Sequence, residues 1–298
     1  MTSGDDARAV LSVMADARQR FLDLVAEVRP ELHRYCARMT GSVFDGEDVV
    51  QDALAKAHYA FAQMTEPPAL RPWLFRIAHN TAMDFLRRYE RKNVDLVADP
   101  PERVEPDETG VDPELVAAAL AVFVTLPPGQ RSALVLKDVL GHSLEETAAT
   151  MGTSVSAVKA ALVRARAGLS AARVEPPPAR AEVQASLQRY ADLFNARDWD
   201  GLRALLGEES RLDLVSRNLR RGASTAVYFT RYQQICETEG LRAQCGLVDG
   251  VPAIAMFRPA TSDRPAFFIL LEWAGSTIAL IRDFRYVPYI ADDARFEA

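Results

Sequence analysis

Ser143-Leu-Glu-Glu-Thr-Ala-Ala-Thr-Met-Gly-Thr-Ser-Val-Ser-Ala-Val-Lys-Ala-Ala-Leu-Val-Arg-Ala-Arg166 is the stretch on which the reading of this chain turns. Ser143 followed three residues later by Glu146 is a capping box, in which each side chain satisfies a backbone N–H of the first helical turn. Ala148, Gly152 and Val158 then fall where two short helices need them. The small alanine lets the helices approach, the glycine makes the turn, and the valine anchors the second helix. That second helix is purely basic. From residue 154 to 173 there are Lys159, Arg164, Arg166 and Arg173 and no acid. The pattern predicts a helix-turn-helix with a cationic outer helix suited to a DNA groove.

Upstream lies a second cationic element. Residues 71–92 hold Arg71, Arg76, Arg87, Arg88, Arg91 and Lys92 against only Asp84 and Glu90. Pro72 suits a helix start, and Trp73, Leu74, Ile77, Ala78, Ala82, Phe85, Leu86 and Tyr89 form a broad apolar stripe. Trp73 reads as core at this spacing, and Asp84 is equally an intrahelical partner for Arg87 or Arg88. Before it, residues 17–38 carry apolar side chains at helical spacing. Asp45 is placed to cap a further helix, with Glu47 and Asp48 in its first turn where the dipole favours anions. Val49, Val50, Ala53, Leu54 and Ala57 make one face of that helix.

Between the two cationic elements, residues 93–113 contain seven acids, four prolines and no hydrophobic period. This composition predicts a solvated linker. Glu175-Pro-Pro-Pro-Ala179 makes a second break. The chain therefore divides into 1–92, an acidic linker 93–113, 114–173, a Pro-rich linker 174–180, and 181–298. The last module differs in style. Helical patterns at 181–196 and 198–207 lead into alternating segments at 211–215, 246–257, 266–273 and 277–287, an α+β layout of helices on a curved sheet.

Composition narrows the field. With 49% hydrophobic residues in 298, burying cores is not limiting. No apolar run approaches the roughly 20 residues that a spanning helix needs, so no membrane partner is expected. The N-terminus, Met-Thr-Ser-Gly-Asp-Asp6, is acidic where an export signal is basic and then apolar. Cys36, Cys236 and Cys245 are odd in number and lack metal-ligand spacing, which points to thiols in a reducing cytoplasm and to no metal site. The net charge of −6 argues against nucleic acid only if charge is taken as an average; here it is segregated.

Asp45-Gly-Glu-Asp-Val-Val-Gln-Asp-Ala53 and Pro72-Trp-Leu-Phe-Arg-Ile-Ala-His-Asn-Thr-Ala-Met-Asp-Phe-Leu-Arg-Arg88 resemble the extracytoplasmic-function (ECF) sigma factors. The helix-turn-helix ending Val158–Arg166 resembles their second DNA-binding domain, so the likeness covers about the first 173 residues. It implies two all-α domains and two partners, the RNA polymerase core and promoter DNA. Asp48, Gln51 and Asp52 would dock on the clamp helices of the largest polymerase subunit. Arg76, Arg87, Arg88 and Arg91 would follow the phosphates of the minus-ten element, with Asn80 bonding a base or sugar and loop 64–71 holding an unstacked base. At the minus-thirty-five element, Lys159, Arg164, Arg166, Ser156 and Ala160 would face the groove, and Lys137 the backbone. Ala160 and Ala161 stand where the family often carries Ser and Arg. That departure implies more reliance on methyl contacts and DNA shape.

The last module resembles the SnoaL-like domain, a cone-shaped α+β fold, through Leu187-Gln-Arg-Tyr-Ala-Asp-Leu-Phe-Asn-Ala-Arg-Asp-Trp-Asp-Gly-Leu-Arg-Ala-Leu-Leu206. The resemblance implies a pocket with room for a small-molecule ligand. Asp213 and Asp283 are the carboxylates that could face it. Arg211, Arg217, Arg282 and Arg285 lie close in sequence, and salt bridging would leave those carboxylates weakly basic. No catalytic residue and no cofactor is therefore assigned, and regulation of the helical domains is the expected role. Two other readings stay open: a helix-turn-helix regulator that works without polymerase, and a SnoaL-type isomerase or cyclase with a DNA-binding appendage.

Overall fold

The computed structural model describes residues 3–64, 68–92, 120–171, 181–216, 218–221 and 226–298. Both linkers of the sequence reading, 93–113 and 174–180, lie outside those residues. The chain forms two compact units, Met1–Arg173 and Val174–Ala298.

The first unit is helical. Its elements are α1 (Ser3–Thr40), α2 (Val43–Phe61), α3 (Leu70–Lys92), α4 (Leu120–Phe123), α5 (Pro128–Leu134), a π-helical turn (Val135–Val139), α6 (Leu144–Met151) and α7 (Val155–Ala171). The periodic apolar residues of α1 to α3 are buried, Leu32, Tyr35, Met39, Val50, Leu74, Phe75 and Ala78 among them. The cap of α2 differs from expectation. Ser42, not Asp45, accepts the N–H groups of Phe44 and Asp45. Its extended backbone (φ −147°) suits a cap, and Asp45 lies inside the first turn. Tyr89 also departs from the apolar stripe, being exposed at the end of α3.

Two helical modules that the sequence separates share one hydrophobic core, which continues from α1–α3 into Phe123, Leu126, Leu134, Leu136, Val158 and Leu162. Polar groups are sealed within the junction. The Tyr35 hydroxyl lies 2.9 Å from His79 Nδ1 and 2.8 Å from Ser132 Oγ, and Ser132 Oγ lies 3.0 Å from His79 Nδ1. Arg131 donates to the carbonyls of Met39, Val124 and Leu126. At the rim, Arg71 binds Glu31 at 2.6 Å, and His142 Nε2 stands 3.7 Å from the same carboxylate. Burial alone would raise the Glu31 pKa, but His142 and Arg71 hold it below the ordinary range.

The second unit is α+β. It runs α8 (Ala181–Asn195), α9 (Trp199–Ala204), β1 (Leu206–Leu214), β2 (Asn218–Arg221), α10 (Ala226–Glu239), β3 (Arg242–Val248), β4 (Val251–Phe257), β5 (Phe267–Ala274), β6 (Thr277–Asp283), α11 (Ile290–Asp293) and β7 (Phe296–Glu297). The strand order is β2-β1-β6-β5-β4-β3-β7, antiparallel except for the parallel β1–β6 pair. Helices α8 and α10 cover one face through Leu187, Tyr190, Phe194, Phe229 and Tyr232. Phe268, Phe284, Val287 and Ile290 are also fully buried. Asp249 and Gly250, both at positive φ, make the two-residue β3–β4 turn. Such a turn matches the twist of a hairpin. This is the helix-on-curved-sheet layout that the SnoaL-like resemblance implies.

Candidate nucleic-acid interface

Charge is sorted by element. On α2, Asp52 is exposed and Asp48 and Gln51 are half-buried. Glu47, one residue before Asp48, is fully buried and ion-paired with Arg29. The Gln51 amide reaches Glu47 at 3.4 Å, near the limit of a hydrogen bond. The acid that faces inward is thus neutralised by α1, and Asp48 and Asp52 follow one another one turn apart along the outer side. Lys56 straps α2 to α3 through Thr81 Oγ1 at 3.1 Å.

On α3, Arg76, Asn80, Arg87 and Arg88 are all exposed, while Trp73 and Ile77 pack against the core from partly buried positions. Arg87 bonds Asp84 one turn back, and Arg88 Nε donates to the Asp84 carbonyl at 3.2 Å. The hydrogen bond from Arg87 holds the Asp84 carboxyl below its usual range. The Arg91 side chain lies outside the described residues. The cationic and apolar halves of this helix follow from its period of 3.6 residues, which keeps positions 76, 80, 84 and 87 on one side.

On α7, Ser156, Lys159, Ala160 and Arg164 are exposed, and Val158, Ala161, Leu162 and Ala165 are buried. Of the two alanines at the departure from the family pattern, only Ala160 faces outward. Arg166 differs from the other cations. It makes a bidentate pair with the buried Asp138, Nε and Nη2 each at 2.9 Å, which ties α7 to the π-helical turn. Lys137, next to Asp138, is half-buried. Helix α7 is oriented by the preceding elements. The Ser143–Glu146 capping box is complete, with the Ser143 backbone N–H drawing the Glu146 carboxyl below its usual range. Gly152 ends α6 in the left-handed region at φ +63°.

In the second unit Asp283 is fully buried, and its oxygens are taken up. Tyr232 donates to Oδ2 at 3.0 Å, Arg285 Nε to the same oxygen at 2.7 Å, and the Arg285 backbone N–H to Oδ1 at 2.9 Å. The Arg285 guanidinium lies 4.2 Å from the Tyr232 ring centre. Asp213 is half-exposed and accepts from Arg282 at 3.2 Å. Asp283 is thus engaged by a tyrosine, an arginine and a backbone N–H, and Asp213 by an arginine. An open concavity of about 1140 Å³ lies instead beside the bulged start of β1, lined by residues 206–211, Ala274 and 277–279. Among the described residues there is no cluster of metal-ligating side chains, and no helix long and apolar enough to cross a membrane.

Sequence reading passed over one surface residue. Tyr59 on α2 is 71% exposed, and its only sequence signal was its place seven residues after Asp52.

Comparison with known proteins places the helical unit. The Sigma-70 region 2 family matches residues 24–92, and the Sigma-70, region 4 family matches residues 118–169. The ECF RNA polymerase sigma factor SigG of Mycobacterium tuberculosis is 34% identical over 280 residues, covering 82% of this chain and 76% of that one. Among solved structures, the M. tuberculosis ECF sigma factor SigJ aligns over 88% of this chain and 95% of its own at 23% identity, with a TM-score of 0.36. A ketosteroid-isomerase-type protein of Kribbella flavida aligns over 34% of this chain and 76% of its own at 17% identity, with a TM-score of 0.27.

Proposed function

The chain belongs to the ECF family of RNA polymerase sigma factors, which direct promoter recognition at the start of transcription, and from that premise we propose how its surfaces divide the work. The family's function is binding, not catalysis: a sigma factor binds core polymerase and promoter DNA. Asp48, Gln51 and Asp52 on α2 dock on the clamp helices of the largest polymerase subunit, where short acids beside an apolar ridge suit a basic partner helix. The exposed face of α3, with Arg76, Asn80, Arg87 and Arg88 and with Arg91 further along, takes the opened minus-ten element. Cations follow its phosphates, and Asn80 bonds an unstacked base or its sugar. Ser156, Lys159, Ala160 and Arg164 on α7 face the major groove at minus thirty-five, and Lys137 lies against the backbone. Arg166 serves there as a positioning residue through Asp138.

The observation that carries this reading is the sorting of charge. Arg76, Arg87 and Arg88 of α3 and Lys159 and Arg164 of α7 turn to solvent, while Glu47 and Asp138 are buried against Arg29 and Arg166. The test is transcription in vitro with core polymerase. Lys159→Ala should weaken binding to duplex minus-thirty-five DNA, and Asn80→Ala should slow opening without changing duplex affinity. Unchanged opening by Asn80→Ala would remove that residue from the assignment.

The C-terminal unit regulates the helical one in this reading, and the concavity beside β1 is where a small polar ligand would act. Asp283, buried and already bonded to Tyr232 and Arg285, supports a regulatory over a catalytic role. Deleting residues 181–298 should change promoter-dependent transcription; identical activity would remove the regulatory assignment.

A further inference from the structure

We propose that the C-terminal end of α2 carries a second, apolar contact for the same polymerase helix pair, with Tyr59 as its anchor. The inference rests on the docking role assigned above to Asp48, Gln51 and Asp52. Asp48, Asp52, Ala55 and Tyr59 follow one another at steps of four, three and four residues, so they fall on one side of the helix. Tyr59 lies about 10 Å beyond Asp52 at 1.5 Å per residue, within reach of one partner helix running along α2.

A single exposed tyrosine on a protein surface needs no explanation. Here it continues a line. It stands on the side of α2 that carries the exposed Asp52, away from Phe61, whose ring stacks on Phe21 of α1 at 4.6 Å. Exposed Ala55 and Ala62 flank Tyr59, one turn before and almost one turn after it. Side chains that small let a second helix approach the α2 backbone closely.

The occupant follows from charge and continuity. Tyr59 extends the stripe that begins with half-buried Asp48 and exposed Asp52, so a basic helical partner pairs with the head and packs on the tail. A tyrosine anchor suits that tail, because it buries a large ring at low entropic cost and keeps its hydroxyl wet.

The test measures affinity of the full chain for core polymerase at low and high salt. Tyr59→Ala should weaken binding about tenfold at both, because apolar contact is not screened. Tyr59→Phe should stay within about twofold of the parent. Asp48→Asn and Asp52→Asn should lose affinity mainly at low salt. Tyr59→Ala binding normally while Asp52→Asn is weakened would overturn the anchor and leave the docking reading standing. If neither aspartate variant binds more weakly, the docking reading fails, and the anchor with it. Unchanged thermal unfolding of Tyr59→Ala shows that a loss is not misfolding; helix propensity does not disfavour the change.

Discussion

Single residues in this chain are held in ways that their charge or type alone does not announce. Arg166 belongs to the basic run that resembles a DNA-reading helix, yet its guanidinium is spent on Asp138, whose side chain is 4% exposed. Removing one partner of such a pair leaves an uncompensated buried charge, so Arg166→Ala should destabilise the protein by about 3 kcal/mol. Arg164→Ala, on the exposed face, should leave stability within about 0.5 kcal/mol and weaken DNA binding instead. Denaturant unfolding of the two variants separates the roles. Equal stability of Arg166→Ala and the parent would return Arg166 to the DNA-contacting set. His79 gives the second case. Burial lowers its pKa to about 4, and Tyr35 from α1 and Ser132 from α5 face its ring, with Arg131 next along α5. A histidine kept neutral by folding stabilises the folded form fully above its unfolded pKa near 6.5. That contribution is lost as pH falls from there towards 4. Between pH 7.5 and 5 the cost is about 2 kcal/mol. His79→Asn, which keeps a hydrogen-bonding group near Nδ1 but does not titrate, should flatten the stability profile over that interval. An unaltered slope would mean that another group governs it.

At the scale of elements, what could be read depended on whether a pattern names its own neighbour. The turn between α6 and α7 is such a pattern, because the capping serine, the glycine and the anchoring valine specify a local geometry without reference to the rest of the chain. Gly152 is its backbone requirement. At φ +63° with no heavy atom within 4 Å of where a Cβ would stand, only conformation disfavours a side chain there. Gly152→Ala should therefore cost about 1 kcal/mol, and Gly152→Asn less, since asparagine tolerates the left-handed region. Thermal unfolding of the pair checks this, and an equal cost for both would point to crowding instead. The outward faces of α2 and α3 were legible for the same reason: 3.6-residue spacing assigns a side. Helix α10 was passed over because Ala226–Glu239 lies among strand-like segments and is rich in aromatic residues that suit either state. Its buried Tyr228, Phe229 and Tyr232 do keep helical spacing. The β3–β4 turn falls inside the alternating segment 246–257, at Asp249-Gly250, because two-residue loops with both φ positive favour Asp-Gly. The bonds to Asp283 were beyond reach for a different reason. Arg285 was visible two residues away, but Tyr232 lies 51 positions from Asp283 along the chain and meets the carboxylate only once the unit has folded.

Across the whole helical unit, the feature no periodicity announces is that its two halves are joined. Apolar spacing shows which side of α1 or α5 is buried, not that the two are buried against each other through Tyr35, His79 and Ser132. That junction bears on the proposed function through size alone. Promoter elements centred near minus ten and minus thirty-five are about 25 base pairs apart, or about 85 Å along B-form DNA. A compact body of 173 residues has a radius of gyration of about 16 Å and so a diameter near 40 Å. The α3 and α7 faces cannot reach both elements while the core is shared. The 21 residues from 93 to 113 can span at most about 75 Å when extended, which covers most of the separation. Engaging both elements therefore requires the junction to part and its polar groups to be rehydrated. Fluorophores at exposed Gln63 and Glu145 should show energy transfer in the isolated chain that falls when core polymerase and promoter DNA are added. Ser132→Ala removes hydrogen bonds made only in the joined state, at about 1–2 kcal/mol. It should lower the stability of the unit and shift the loss of transfer to about tenfold less polymerase. Transfer that persists in the promoter complex would mean that the elements are not engaged together, and the assignment of α7 to the upstream element would have to be given up.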